Sequence, residues 1–387
     1  MEFKFSNLLK GDKVFWYAVI MLGAISILAV YSSSGGLAYR TNHGDTFYFF
    51  KKQFVFVLMG LVGILITQMI PYRIYKKYAL YAYYATFILV VITIFVGKTE
   101  GGASRWLEIP FIGIQFQPSD LGRLAMVILA AKLLSGTEEN GEIKILSLKK
   151  IFIFTLLMAA FTIFSGFSTT VIFLSTILAM AIAAGVKRKY LAKAVIYSLL
   201  SLAIIVGGLY LAGQKGRLKV VENRLNAFLH PEEEDTYQID RAKVAIVRGG
   251  ITGVGPGNSI QRNNLSQSNS DFIFASIIEE YGLLGAIIII ALYLWILYRG
   301  IYIAKNCDET FPMLLAIGII LSISIQAFTH MIVATDIGPV TGQNLPFVSL
   351  GGTSILTTGF AFGIIMNIGH TLRKKKIQAE QENFTNE

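Results

Sequence analysis

Apolar runs recur along almost the whole chain, separated by short polar clusters. A helix needs about 17 to 25 residues to cross the hydrocarbon core of a bilayer. The runs 14–30, 54–70, 78–96, 194–212, 283–298 and 311–333 read directly as spans. Residues 151–186 would reach roughly 54 Å as one helix at 1.5 Å per residue, more than a bilayer accommodates. Ser165-Gly166-Phe167-Ser168 sits at the middle of that stretch, so two spans joined by a tight turn are predicted. The run 121–134 is short but can start earlier, because Gln117-Pro118-Ser119-Asp120 places Pro in the first turn and an acid at the positive end of the helix dipole. The last span covers about 349–368 and meets Arg373-Lys374-Lys375-Lys376, and the polar tail beyond Lys376 is expected to be disordered. The pattern predicts an all-α, polytopic membrane protein of about ten transmembrane helices. One membrane domain occupies 1–370 and a basic, polar tail 371–387, with one large polar loop, 213–270, between helices 7 and 8.

Composition supports lipid as the main solvent: 54% of the 387 residues are hydrophobic and only 15% charged. The net charge of +10 raises the question of nucleic acid, but the basic residues lie at the ends of apolar runs, where they meet headgroups, so no nucleic-acid partner is expected. With the N-terminus inside, twenty Lys and Arg fall in the inner loops and tails, against five in the first two outer loops and eight in the long loop. Long loops translocate largely regardless of charge, so the count places both termini in the cytoplasm. Lys4, Lys10 and Lys13 before the first run imitate a signal peptide, yet the run is long enough to span and Tyr31-Ser32-Ser33-Ser34 is a poor cleavage site. A single cysteine, Cys307, excludes an intramolecular disulfide framework and a Cys-based zinc site, and the four histidines show no ligand spacing.

An ordered loop as long as 213–270 usually carries function. It ends at Asp271, where Asp271-Phe272-Ile273-Phe274-Ala275 re-enters apolar sequence, so that carboxylate is expected at the membrane surface. Asp271 is either a helix N-cap or a reactive carboxylate, and the two roles can coexist. Asp120 and Arg123, three residues apart, should meet on one helix face inside the membrane boundary, where a charge pair marks a polar cavity more often than a lipid-facing surface. Arg105-Trp106 offers a cation for phosphate beside an interfacial anchor. Gly249 to Gly257 reads as a re-entrant turn in preference to a phosphate cradle, since neither a strand nor a P-loop lysine accompanies it. The stretch 338–354, rich in Gly and Pro, cannot run as one helix, and non-helical backbone at membrane depth must be buried in protein or line a cavity.

Together these motifs resemble the SEDS family of peptidoglycan polymerases, over nearly the full chain. The resemblance is carried by Gly102-Ala103-Ser104-Arg105-Trp106, Gln115-Phe116-Gln117-Pro118-Ser119-Asp120, the segment from Arg224 to Pro231, and Tyr237-Gln238. Ser270-Asp271-Phe272-Ile273-Phe274-Ala275, Glu279-Glu280-Tyr281-Gly282, Pro339-Val340-Thr341-Gly342, Leu345-Pro346-Phe347-Val348-Ser349 and Gly351-Gly352-Thr353-Ser354 continue it. It implies ten spans in the bacterial cytoplasmic (inner) membrane and a glycosyltransferase that joins lipid II into glycan strands at the outer face. The division-type branch fits better than the elongation-type branch. Asp271 falls on the family's proposed catalytic aspartate. Arg105, Arg123, Asp120, Arg224, Arg248, Gln238 and Ser354 are candidate substrate-binding residues.

No tightly bound cofactor is implied, though a divalent cation, Mg or Mn, could accompany the lipid pyrophosphate. Expected partners are lipid II, a class B penicillin-binding protein transpeptidase and other division membrane proteins. Two departures stand out. The family usually has Glu and Lys where this chain has Asp120 and Arg123, and Ser165-Gly166-Phe167-Ser168-Thr169-Thr170 replaces a segment that often carries an acidic side chain. The competing readings are a lipid II flippase, suggested by the intramembrane charges and broken helices, and a scaffold without chemistry.

Overall fold

The computed structural model describes residues 11–41, 43–100, 103–108, 115–136, 143–211, 222, 226, 237–265 and 267–386. Its helices are α1 (Lys13–Ser33), α2 (Gly35–Thr41), α3 (Thr46–Met69), α4 (Tyr72–Val96), α5 (Pro118–Leu134) and α6 (Ile145–Ser165). They continue with α7 (Phe167–Ala183), α8 (Arg188–Leu211), α9 (Tyr237–Gly249), α10 (Ile273–Lys305), α11 (Thr310–Ala334) and α12 (Gly352–Asn386). All except α2 and α9 coincide with the predicted spans. Seven of them are long and apolar enough, by length and composition, to cross a membrane. At 17 residues, α5 and α7 sit at the short end of the spanning range. Packing compensates in α5, whose buried residues run from Pro118 to Leu134. The predicted break at Gly166 is present: α6 ends at Ser165 and α7 begins at Phe167.

Helices α5 and α11 occupy the middle of the bundle, with α4, α6, α7, α10 and α12 around them. Helix α12 packs along α3 through small residues. A Cβ on Gly359 would sit 2.4 Å from the Gly60 carbonyl oxygen, and one on Gly363 would overlap the Thr67 hydroxyl, so the two backbones approach as closely as glycine allows.

Loops assigned from charge to one face meet at one end of the bundle. Asp12 caps α1 and pairs with Arg299, the Tyr72 hydroxyl donates to Glu309 at 2.9 Å, and Lys375 lies 3.4 Å from Asp308. Opposite-face segments meet at the other end, where Arg40 donates to the Asn263 carbonyl and the Ser268 hydroxyl to that of Ser33.

Three details differ from the sequence reading. A small antiparallel sheet precedes α5, formed by β1 (Lys98–Glu100), β2 (Ala103–Glu108) and β3 (Gln115–Phe116), with Lys98 opposite Trp106 and Leu107 opposite Phe116. The tail expected to be disordered continues α12 to Asn386, as the helix formers in Lys-Ile-Gln-Ala-Glu-Gln-Glu favour. Helix α10 begins ten residues before the predicted span and is broken at Gly282 (φ 66°, ψ −163°).

Candidate active site

Asp271 sits half-buried in the turn that leads into α10. The N-cap of α10 is Phe272, with no side-chain capping bond, so the cap lies one residue beyond the carboxylate that sequence offered for it. The turn is fixed from two sides. On one side, the Ser349 hydroxyl donates to the Ser270 carbonyl at 2.8 Å, and Leu350 N donates to the Asn269 carbonyl at 2.9 Å. On the other, the Ser276 hydroxyl donates to the Ser268 carbonyl, and Leu265, Phe272 and Ala275 close a small apolar cluster with Ala242 and Ala245 of α9.

The partner in the first contact is the non-helical stretch 335–351. Buried side chains satisfy its backbone, as polar groups shut away from water require. Ser26 of α1 donates to the Val348 carbonyl at 2.8 Å, Tyr293 of α10 donates to the Pro346 carbonyl, and Gln53 of α3 reaches Ser26 at 2.6 Å and the carbonyls of Val348 and Ser349 at 3.4 Å. Phe347 takes a left-handed backbone (φ 65°) and inserts its ring beside Phe362.

The same stretch reaches a second polar group. Gln343 Nε2 donates to the Thr169 hydroxyl of α7 at 2.9 Å, its carbonyl lies 2.7 Å from Nδ1 of buried His330, and Gln326 donates to the Asn344 carbonyl. Arg105, on β2, lies against the α6–α7 turn: a Cβ on Gly166 would be 3.7 Å from Arg105 Nη2 and 3.2 Å from Thr169 Oγ1. Asp120 and Arg123 of α5 pair at 3.7 Å, both side chains about nine-tenths buried, as their spacing predicts. Arg123 Nη1 finds no hydrogen-bond acceptor among the described residues, so a donor inside the bundle remains available to an anion.

The remaining candidates scatter. Ser354 is buried in the first turn of α12, where its carbonyl accepts from Thr358. Gln238 is half-buried in the first turn of α9. Arg224 lies outside the described residues. Arg248 pairs with Glu279 at 3.2 Å, an engagement that sequence did not foresee.

Glu279 and Glu280 are the residues that sequence reasoning used only as motif letters. Glu279 is fully buried, and its carboxylate accepts from the Ser259 hydroxyl, Ile260 N at 3.1 Å, Gln261 N at 3.4 Å and Arg248. Glu280 accepts from the Ser32 hydroxyl of α1, which itself accepts from Gly257 N. Two adjacent carboxylates inside an apolar run are the signal that could have found them, because such groups persist only where they are paired.

The glycine turn between α9 and the 3-10 turn at Gln261–Asn263 fills the break in α10. Val254 N and Gly255 N donate to the carbonyls of Glu279 and Glu280, while the Gly250 and Ile251 carbonyls accept from Leu283 N and Leu284 N. These amides are committed to protein and are not free to cradle a phosphate. Among the described residues no group of three or more His, Cys, Asp or Glu could hold a metal ion. A divalent ion carried on a substrate pyrophosphate would not need such a cage, since magnesium usually keeps several waters beside phosphate oxygens.

Residues 12–374 match the model of the cell cycle protein family of FtsW, RodA and SpoVE. The chain is 31% identical over 377 residues to the probable peptidoglycan glycosyltransferase FtsW of Trichlorobacter lovleyi, covering 95% of each chain. It is 28% identical to the FtsW of Caulobacter vibrioides, over 92% of this chain and 88% of that one. Among solved structures, the Thermus thermophilus rod shape determining protein RodA superposes with a TM-score of 0.67 at 20% identity, over 94% of this chain and 98% of that one. A chain from a study of polymerization and crosslinking by a peptidoglycan synthase complex superposes at 0.72, also at 20% identity and with the same coverage. With a family match spanning nearly its whole length, the chain belongs to the FtsW, RodA and SpoVE family of cell cycle proteins.

Proposed function

We infer that this protein is a peptidoglycan glycosyltransferase of the division type, which polymerises lipid II on the outer face of the cytoplasmic membrane. Both termini face the cytoplasm on this reading, in keeping with the basic residues gathered at the end of the bundle opposite Asp271. The observation that carries the reading is the position of Asp271: half-buried, in a turn bound to the 335–351 stretch, which also reaches the polar wall formed with Thr169 and His330. Relatives named peptidoglycan glycosyltransferase over 95% of the chain support the activity.

The chemistry suits one carboxylate. The acceptor sugar's 4-hydroxyl must lose a proton as its oxygen attacks the anomeric carbon of the growing strand, and Asp271 accepts that proton. Lipid pyrophosphate leaves with the bond electrons and needs no second carboxylic acid, unlike the leaving group of most glycoside hydrolases. It does need positive charge, which Arg105 and Arg123 supply in this reading. A class B penicillin-binding protein that crosslinks the strands, together with other division membrane proteins, is the expected company.

The test is polymerisation of lipid II by the purified chain with its transpeptidase partner. Asp271→Asn is expected to reduce glycan synthesis at least about a hundredfold, the scale of general-base catalysis. Undiminished polymer from the variant would overturn the assignment. Transbilayer movement of labelled lipid II by a chain that makes no polymer would favour the flippase instead.

A further inference from the structure

Helix α9 has two apolar faces, and among the described residues only one of them is covered. Ile239, Ala242, Ala245 and Gly249 are buried against α10 and the turn below it. On the other face Val244 is 44% exposed, Val247 80% and Ile251, just beyond the helix, 71%. Their spacing of three and four residues makes one stripe. Single exposed apolar residues need no explanation, but a stripe marks a surface that faces something other than water.

Continuity identifies what that is. The Gly250 and Ile251 carbonyls accept from Leu283 N and Leu284 N, so the end of the stripe is bonded to the start of the unbroken part of α10. There Leu283, Leu284, Ile287 and Ile288, each about half exposed, form the outward surface of a membrane-crossing helix. The stripe on α9 therefore extends a surface that already faces lipid.

The polar residues are graded in the same sense. The first turn carries Asp240, ion-paired with Lys243 at 3.7 Å, and Arg241, whose guanidinium stacks 4.8 Å over the Tyr237 ring. Tyr and Arg of this kind settle at headgroup level, with the apolar body inward and the charge toward water. Lys243 also holds Asp336 at 2.5 Å, an ion pair that keeps its ammonium above the ordinary lysine range and ties the second turn to the segment just after α11.

We propose that α9 is an interfacial membrane helix, tilted so that Val244, Val247 and Ile251 enter the same leaflet that Leu283 faces while its first turn stays among the headgroups. The occupant of the exposed face is phospholipid. A helix with one strongly apolar edge and basic flanks lies in this plane, buried about 5–10 Å into the headgroup and acyl boundary. On the reading of Asp271 given above, α9 would hold the loop before the carboxylate at the depth of a lipid-borne substrate's headgroup. The orientation of α9 can be right whether or not Asp271 is the base, and its test reads no activity.

Nitroxide labels are placed singly at 240, 244, 247, 251 and 283 in a Cys307→Ser background, with the full chain in phosphatidylethanolamine and phosphatidylglycerol vesicles. Collisions with oxygen, which concentrates in acyl chains, are compared with collisions with a water-soluble nickel chelate. The oxygen-to-nickel ratio is expected to rise from 240 through 244 to 247 and 251. At the last two it should approach the value at 283 and exceed that at 240 at least about fivefold, as a helix sunk into one leaflet requires. Nickel access at 247 equal to that at 240 would overturn the proposal by placing the stripe in water. Protection of 247 from both reagents would overturn it by placing protein there, from this chain or a second copy.

Discussion

Glu279 shows how much one buried carboxylate can organise. Its two oxygens hold a hydroxyl, two backbone amides and a guanidinium, three of them from the segment that leads toward Asp271. Glu279→Ala leaves the amides of Ile260 and Gln261 without acceptors, each costing about 1–3 kcal/mol when buried, so a total loss of about 3 kcal/mol is expected in thermal unfolding in detergent. Glu279→Gln keeps an acceptor and should lose about 1 kcal/mol, with Arg248, a third exposed, recovering part of its solvation. Equal melting temperatures for the alanine variant and wild type would show that the clamp is not structural. Asp120 and Arg123 allow a second test, because the reach of the pair can be redistributed between its two members. Asp120→Glu and Arg123→Lys each alter reach on one side only, while the double variant restores the total length of the pair. Polymerisation and melting are expected to suffer less in the double variant than the two single losses predict, with a coupling of at least about 1 kcal/mol. Additive losses would mean the two groups do not act as a pair. The i, i+3 spacing made this pair legible, and the role of Glu279 was not. Its partners lie 18 to 31 residues away in sequence, and nothing local distinguishes a clamped carboxylate from a solvated one.

At the level of elements, the spans were legible because membrane crossing imposes a length and an apolar content that survive any tertiary context. The division of 151–186 was legible for the same reason, since no single helix of that length fits a bilayer. The break in α10 was not, because an isolated Gly in a helical pattern is ordinarily tolerated. The break exists only because the glycine turn after α9 supplies acceptors for Leu283 and Leu284 and donors for the carbonyls of Glu279 and Glu280. Two substitutions separate this fit from glycine's conformational freedom alone. A Cβ on Gly282 would lie 2.3 Å from the Ile251 carbonyl oxygen, with backbone angles open essentially to Gly, whereas a Cβ on Gly250 (φ 53°) meets nothing within 4 Å. Gly250→Ala is expected to cost about 1 kcal/mol, the strain of a left-handed residue. Gly282→Ala should cost more than about 3 kcal/mol and expose the glycine turn to limited proteolysis, combining strain with overpacking against backbone that cannot rotate away. Comparable melting of the two variants would remove the fitted insertion as the cause of the break.

For the molecule as a whole, the bundle sorts its loops into two ends, and charge decides which end faces the cytoplasm. One end carries the Asp12–Arg299 pair, the Tyr72–Glu309 and Lys375–Asp308 contacts and the basic start of α12's tail. The other carries α2, the glycine turn and Asp271, joined through Arg40, Ser32 and Ser33. Short basic loops resist translocation, so the first end is expected in the cytoplasm and Asp271 outside. Single cysteines at Tyr39, 79% exposed on α2, and at Lys376, exposed on α12, test this in a Cys307→Ser background. A membrane-impermeant maleimide should label Tyr39→Cys in intact cells, and Lys376→Cys only after permeabilisation. The native thiol itself is a poor target, because burial and the neighbouring carboxylates of Asp308 and Glu309 push Cys307 up to about 12, leaving it almost wholly protonated at neutral pH. Wild type should therefore react slowly even in permeabilised cells, and faster as pH rises toward that value. Labelling of Lys376→Cys in intact cells would invert the topology, put Asp271 on the cytoplasmic face, and remove the physical basis for strand synthesis outside the membrane.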